Sequence, residues 1–121
     1  MLLNSFFTIK NIQQADKYTI DIELNPNHEV YKGHFPNNPI APGVCLTQMV
    51  KETVEHITKK NLTMVTGDNL KFTAILNPVV NPNVVLTLSI KTKENGNLQA
   101  DSSVSAGETN FFSIKASYKE N

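Results

Sequence analysis

The sequence is poor in the features that mark several large classes of protein. It has a single cysteine, Cys45, which excludes an intrachain disulfide framework and fits a reducing compartment. Its formal net charge is +0, from 11 basic and 11 acidic residues that are interspersed rather than blocked. No strongly basic face is therefore offered to nucleic acid or to an anionic membrane. No segment approaches the ~20 apolar residues needed to cross a bilayer. The start, Met1 to Phe7, is briefly apolar but has no basic lead and no small-residue cleavage site, so no signal peptide is read and the expected location is cytoplasmic. His28, His34 and His56 have no close His or Cys partner at zinc-ligand spacing. A phosphate-binding glycine loop and a Gly-x-Ser-x-Gly elbow are also missing, as are internal repeats and linkers. The expectation is one domain over residues 1–121, with a core large enough to need no staples and with no metal or cofactor.

What is present is β-rich patterning around one helix. Tyr18 to Leu24 alternates apolar and polar residues in period two, as a half-buried strand does, and Phe6 to Ile12 precedes it as a first strand. Thr63–Thr66 and Asn69–Leu76 read as two strands flanking Gly67-Asp68, followed by Val84–Ile90. Asn95-Gly96 is a strong hairpin signal. Leu98–Ala106 and Asn110–Tyr118 then form a second hairpin, with few large side chains in its Ser-rich first strand. From about Pro42 to Thr58, Leu46, Met49, Val50, Thr53, Val54 and Ile57 recur at helical spacing and predict one long helix whose apolar stripe packs on a sheet. Gln48, Glu52 and Glu55 fall on its other side. A sheet wrapped round that helix, in an α+β fold, accommodates the pattern.

The stretch Gly33-His34-Phe35-Pro36-Asn37-Asn38-Pro39-Ile40-Ala41-Pro42-Gly43-Val44 carries the chemical interest. Its three prolines push the residues before them out of helical conformation, so a stiff, extended loop is expected up to Pro42. Pro42 suits the first helical position, and Gly43 lets a ligand approach the backbone. A helix start presents free amides and a partial positive charge. A thioester carbonyl held on the Gly43 N–H would have its developing enolate oxygen stabilised, while His34 removed the adjacent proton. The alternative is that His34 only closes a proline-rich turn by hydrogen bonding. His28 reads as a turn or surface histidine, His56 as a charge partner for the helix end, and Cys45 as a small buried side chain rather than a nucleophile.

The run from Gly33 to Val44 resembles the His-Phe-Pro-Gly-x-Pro-x-x-Pro-Gly-Val signature of hot-dog-fold 3-hydroxyacyl-[acyl carrier protein] dehydratases of fatty-acid synthesis, with Asn37 where that family usually has glycine. Lys71-Phe72 followed by Asn77-Pro78-Val79-Val80-Asn81-Pro82-Asn83 extends the likeness. The resemblance implies a hot-dog fold, a catalytic role for His34, and substrate contacts from Phe35, Pro42, Gly43 and Val44. It further implies an acyl thioester on acyl carrier protein, or on coenzyme A, as the partner molecule. A dimer or an oligomer of dimers is implied as well, with the active site at the subunit interface.

One departure bears on activity. The family carries Glu or Asp fourteen positions after the histidine, and this chain has Gln48 there. An amide hydrogen-bonds but has no proton to transfer at ordinary pH. Gln48 then orients the hydroxyl, directly or through water, or the chain is an acid-less acyl-binding subunit whose partner in a hot-dog heterodimer supplies the acid. Glu52, one turn further and about 6 Å along the axis, is a candidate replacement acid; otherwise Gln48, Glu52 and Glu55 form a solvated edge. A hot-dog thioesterase is the remaining alternative, disfavoured by the Pro-rich histidine motif.

Overall fold

The computed structural model describes residues 1–33 and 39–121. Strands β1 (Phe7–Gln14) and β2 (Tyr18–Leu24) are followed by a 3-10 turn (Glu29–Tyr31), helix α1 (Gly43–Thr58) and strands β3 (Leu62–Phe72), β4 (Asn83–Thr92), β5 (Leu98–Ala106) and β6 (Thr109–Glu120). The six strands form one sheet in the order β1-β2-β4-β5-β6-β3, every neighbouring pair antiparallel. Both the α+β class and the sheet-around-a-helix arrangement are as the patterning predicts.

Period-two alternation sets the inner face. Ile20, Ile22 and Leu24 of β2 are buried while Asp21 and Glu23 are exposed. Register places Ile20 opposite Leu86 and Ile22 opposite Val84, then Leu86 opposite Val104 and Val104 opposite Phe112. A continuous apolar row thus crosses four strands. Leu46, Met49, Val50 and Val54 of α1 join the same core cluster, which is where an amphipathic helix gains most of its stability. The Ser-rich strand divides by face: Ser102 is buried with Val104, whereas the Ser103 hydroxyl pairs with that of Thr87 at 2.6 Å. No helix among the described residues is long and apolar enough to cross a membrane.

Three local expectations are corrected. Pro42 lies one residue outside the helix, as an extended N-cap (φ −66°, ψ 144°); its carbonyl accepts from the amides of Cys45 (3.0 Å) and Leu46 (3.1 Å). Thr63–Thr66 and Asn69–Leu76 are not two strands, because β3 runs unbroken through Gly67-Asp68 and stops at Phe72. Gly67 pairs with Ala116 and Asp68 with Lys115, and the register shift between Asp68 and Lys71 absorbs what looks in sequence like a break. Asn69 takes φ 51° there, a left-handed conformation asparagine tolerates better than most residues. The third correction concerns Glu52 and Glu55. Glu52 is buried at 2% exposure, and Glu55 is half-buried, accepting from the Leu62 amide at 2.9 Å, so neither belongs to a solvated edge.

Candidate active site

The start of α1 is an assembly of backbone groups in which glycine has a steric reason to be. Ala41 donates its amide to the Leu76 carbonyl at 2.8 Å, which ties the approach to the helix against the segment after β3. Pro42 then turns the chain into α1 with no side-chain cap. Among the described residues the Gly43 and Val44 amides meet no acceptor, so two donors of the first turn remain free, at the positive end of the helix. A Cβ on Gly43 would lie 2.5 Å from Phe72 Cζ and 2.8 Å from Cε1. The Phe72 ring therefore roofs the helix start, backed by Phe112 across the β3–β6 pair with ring centroids 5.0 Å apart.

Gln48 lies one turn beyond Val44 on the same side of the helix. It is half-buried, and its Nε2 donates to Glu52 Oε2 at 2.8 Å. The Glu52 carboxylate also accepts the Leu2 amide on both oxygens (2.9 and 2.8 Å) and the Leu3 amide at 2.8 Å. Three donors thus saturate it, and its work is to hold the N-terminal segment and the Gln48 amide. That overturns its candidacy as a replacement acid: a carboxylate engaged by three donors inside the chain is not presented to a substrate. The signal for half of this arrangement was available in the i,i+4 spacing of Gln48 and Glu52. The other half, two backbone amides from residues 2 and 3, leaves no trace in side-chain identity.

Pro42, Gly43 and Val44 thus stand together at the start of the helix, with Gln48 one turn beyond Val44 and Val44 77% exposed. His34 and Phe35 lie outside the described residues. Cys45 is buried, and burial pushes its thiol pKa up, the opposite of an activated nucleophile. Tyr31 is pushed up to about 12 by burial, with Cys45 adding to the effect. His28 caps the 3-10 turn by accepting the Val30 amide on Nδ1 at 3.1 Å and packs edge-on to Phe6, a turn histidine as expected. His56 is exposed in the last turn of α1. Among the described residues no three His, Cys, Asp or Glu side chains gather to hold a metal ion.

The model of a family described as ApeI-like, ApeI dehydratase, matches residues 10–113. No curated protein is a recognisable sequence relative. Among solved structures, the dehydratase heterocomplex ApeI:P from Xenorhabdus doucetiae is similar at 21% identity and a TM-score of 0.65, over 92% of this chain and 96% of that one. An uncharacterized protein from Erwinia carotovora subsp. atroseptica is similar at 18% identity and a TM-score of 0.59, over 94% of this chain and 92% of the other. These likenesses identify the fold as the hot-dog fold.

Proposed function

Because the chain belongs to the ApeI-like dehydratase family, we propose that it takes part in dehydrating a 3-hydroxyacyl thioester carried on a pantetheine arm, that of acyl carrier protein or coenzyme A. The observation that carries the reading is the helix start, where the Gly43 and Val44 amides have no acceptor among the described residues and Gln48 lies one turn along. In this reading the Gly43 N–H receives the thioester oxygen and stabilises the negative charge that gathers there as the α-carbon loses its proton. His34 takes that proton on an imidazole nitrogen. The electron pair left on the α-carbon forms the new double bond as the C3–O bond breaks, and the hydroxyl leaves as water once it receives a proton. Gln48 has none to give, so the proton comes back from the His34 imidazolium or from an acid on another subunit.

That last choice favours a second form of the same reading. Gln48 stands where an acid is expected, and Glu52, the nearest carboxylate along the helix, is saturated by donors inside the chain. We propose accordingly that this chain works beside a second hot-dog subunit that brings the acid, an arrangement parallel to the heterocomplex formed by its structural relative. The exposed side chains support such an assembly. β3 is an edge strand whose outer side has no strand partner among the described residues, and it exposes Val65, Leu70 and Phe72, with Val44 and Ile75 exposed as well. Apolar exposure along an open edge is what association removes.

The test is a dehydration assay with 3-hydroxyacyl thioesters of acyl carrier protein and coenzyme A. Wild type, His34→Ala and Gln48→Glu are run alone and with any hot-dog chain that co-purifies. The reading predicts that His34→Ala abolishes turnover and that Gln48→Glu raises the activity of the chain on its own. Unchanged turnover in His34→Ala eliminates it. Full activity of the wild-type chain alone eliminates the need for a second subunit.

A further inference from the structure

We infer that Glu52 is a positioning residue for the site: it fixes the side-chain amide of Gln48 so that the carbonyl oxygen, not the NH2, is the atom presented to a ligand, and the site therefore selects a hydroxyl over a keto group. The inference rests on the acyl-thioester reading above and assigns it a specificity determinant.

A primary amide has two faces of opposite character. Its NH2 donates and its oxygen accepts, and a free glutamine turns over to suit whatever it meets. Gln48 does not have that freedom. Its Nε2 lies 2.8 Å from Glu52 Oε2, and an ionised carboxylate offers only lone pairs. Turning the amide over would set oxygen against oxygen at that distance and forfeit a charge-assisted hydrogen bond, a preference on the order of tenfold or more. The carboxylate itself is prevented from turning away. Both of its oxygens accept the Leu2 amide, Oε1 also accepts the Leu3 amide, and the side chain is 98% buried, being 2% exposed. The backbone of the N-terminal segment thus holds Glu52, and Glu52 holds Gln48.

The group of Gln48 that has no partner among the described residues is Oε1, an acceptor. A 3-hydroxyl donates to it. A 3-oxo group, itself an acceptor, meets it unfavourably, and an unsubstituted chain leaves it without a partner. The same orientation lets the chain bind the hydroxylated substrate although it cannot protonate it, and that is the division of labour a subunit without an acid would need.

The test is titration calorimetry of the full chain with 3-hydroxybutyryl, 3-oxobutyryl and butyryl groups joined to pantetheine through an amide, which cannot turn over. Wild type is expected to bind the 3-hydroxy probe about tenfold more tightly than the other two. In Glu52→Gln the facing amide satisfies Gln48 in either orientation, so the preference for 3-hydroxy over 3-oxo falls below about threefold. A loss of fold stability alone does not move that ratio. Retention of the full ratio in Glu52→Gln overturns the proposal. Equal binding of all three probes to wild type overturns it while leaving the acyl-ligand reading standing, and binding of none overturns both. A readout on wild type needs no variant: one Gln48 side-chain N–H proton should be shifted downfield in the NMR spectrum and protected from exchange, and shifts typical of a solvated amide would overturn the orientation.

Discussion

Replacing Gly43 with alanine places a methyl carbon 2.5 Å from Phe72 Cζ and 2.8 Å from Cε1, about 1 Å inside the 3.5–4.0 Å optimum for carbon pairs. The obstacle is the far end of a side chain that is 54% exposed, so the ring can swing outward rather than force the helix to shift. Doing so gives up its tilted contact with Phe112, which is worth about 0.5–1.5 kcal/mol. Against this stands a gain of up to about 1 kcal/mol, because alanine is a better helical residue than glycine. The two effects nearly cancel, and Gly43→Ala alone should change stability by less than about 1 kcal/mol. Phe72→Ala removes the obstacle. In that background Gly43→Ala should be stabilising by about 0.5–1 kcal/mol, giving a coupling energy near 1 kcal/mol between the two positions. Urea denaturation of wild type, both single variants and the double variant measures it. Additivity within about 0.3 kcal/mol would refute the roofing of the helix start by Phe72. The functional arm is separate: if the Gly43 amide holds the ligand carbonyl, Gly43→Ala should weaken acyl-pantetheine binding even in the Phe72→Ala background.

Three further outcomes follow from the same structure. Glu52→Ala leaves the Leu2 and Leu3 amides without their acceptor and should cost about 2–4 kcal/mol, with faster amide exchange at those two residues; unchanged exchange there would contradict the clamp. Tyr31 and Tyr118 are both pushed up to about 12, chiefly by burial, from an ordinary 10.0. Between pH 10 and 12 the folded chain therefore keeps protons that the unfolded chain releases, and stability falls as pH rises through that window, by at most about 1.4 kcal/mol per pH unit for each tyrosine. Because the Tyr118 hydroxyl has no hydrogen-bond partner among the described residues, Tyr118→Phe should cost little at pH 8 and flatten the alkaline loss, as urea midpoints at pH 8 and 11 would register. Cys45, buried and with its thiol pKa raised by burial, should react with iodoacetamide at pH 8 far more slowly in the folded chain than in urea; equal rates would contradict its burial.

Much of this architecture was legible in the residues because each signal was local. The period-two pattern of β2, the hairpin turn at Asn95-Gly96 and the apolar stripe of α1 each fix a neighbourhood of a few residues, and a sheet wrapped on a helix is the way to bury all of them together. The bounds of β5, Leu98 to Ala106, match the expectation, since polar turn residues flank it on both sides. β3 reads as two strands in the sequence because Gly67-Asp68 looks like punctuation in one dimension. Pairing with β6 supplies hydrogen bonds on the far side of that dipeptide, and a partner strand outweighs a weak local preference.

The sequence by itself determined the class of fold and the long helix with its apolar stripe, because backbone conformation and hydrophobic period are properties of neighbours along the chain. Only tertiary structure decided what Glu52 does. A carboxylate on a helix reads as solvated until the N-terminal segment, some fifty residues away in sequence, lays two amides against it, and burial then turns a surface charge into a clamp. Phe72 is the same case. Nothing local assigns it to the roof over Gly43; the antiparallel pairing of β3 with β6 does, by setting the end of one strand beside the beginning of the helix.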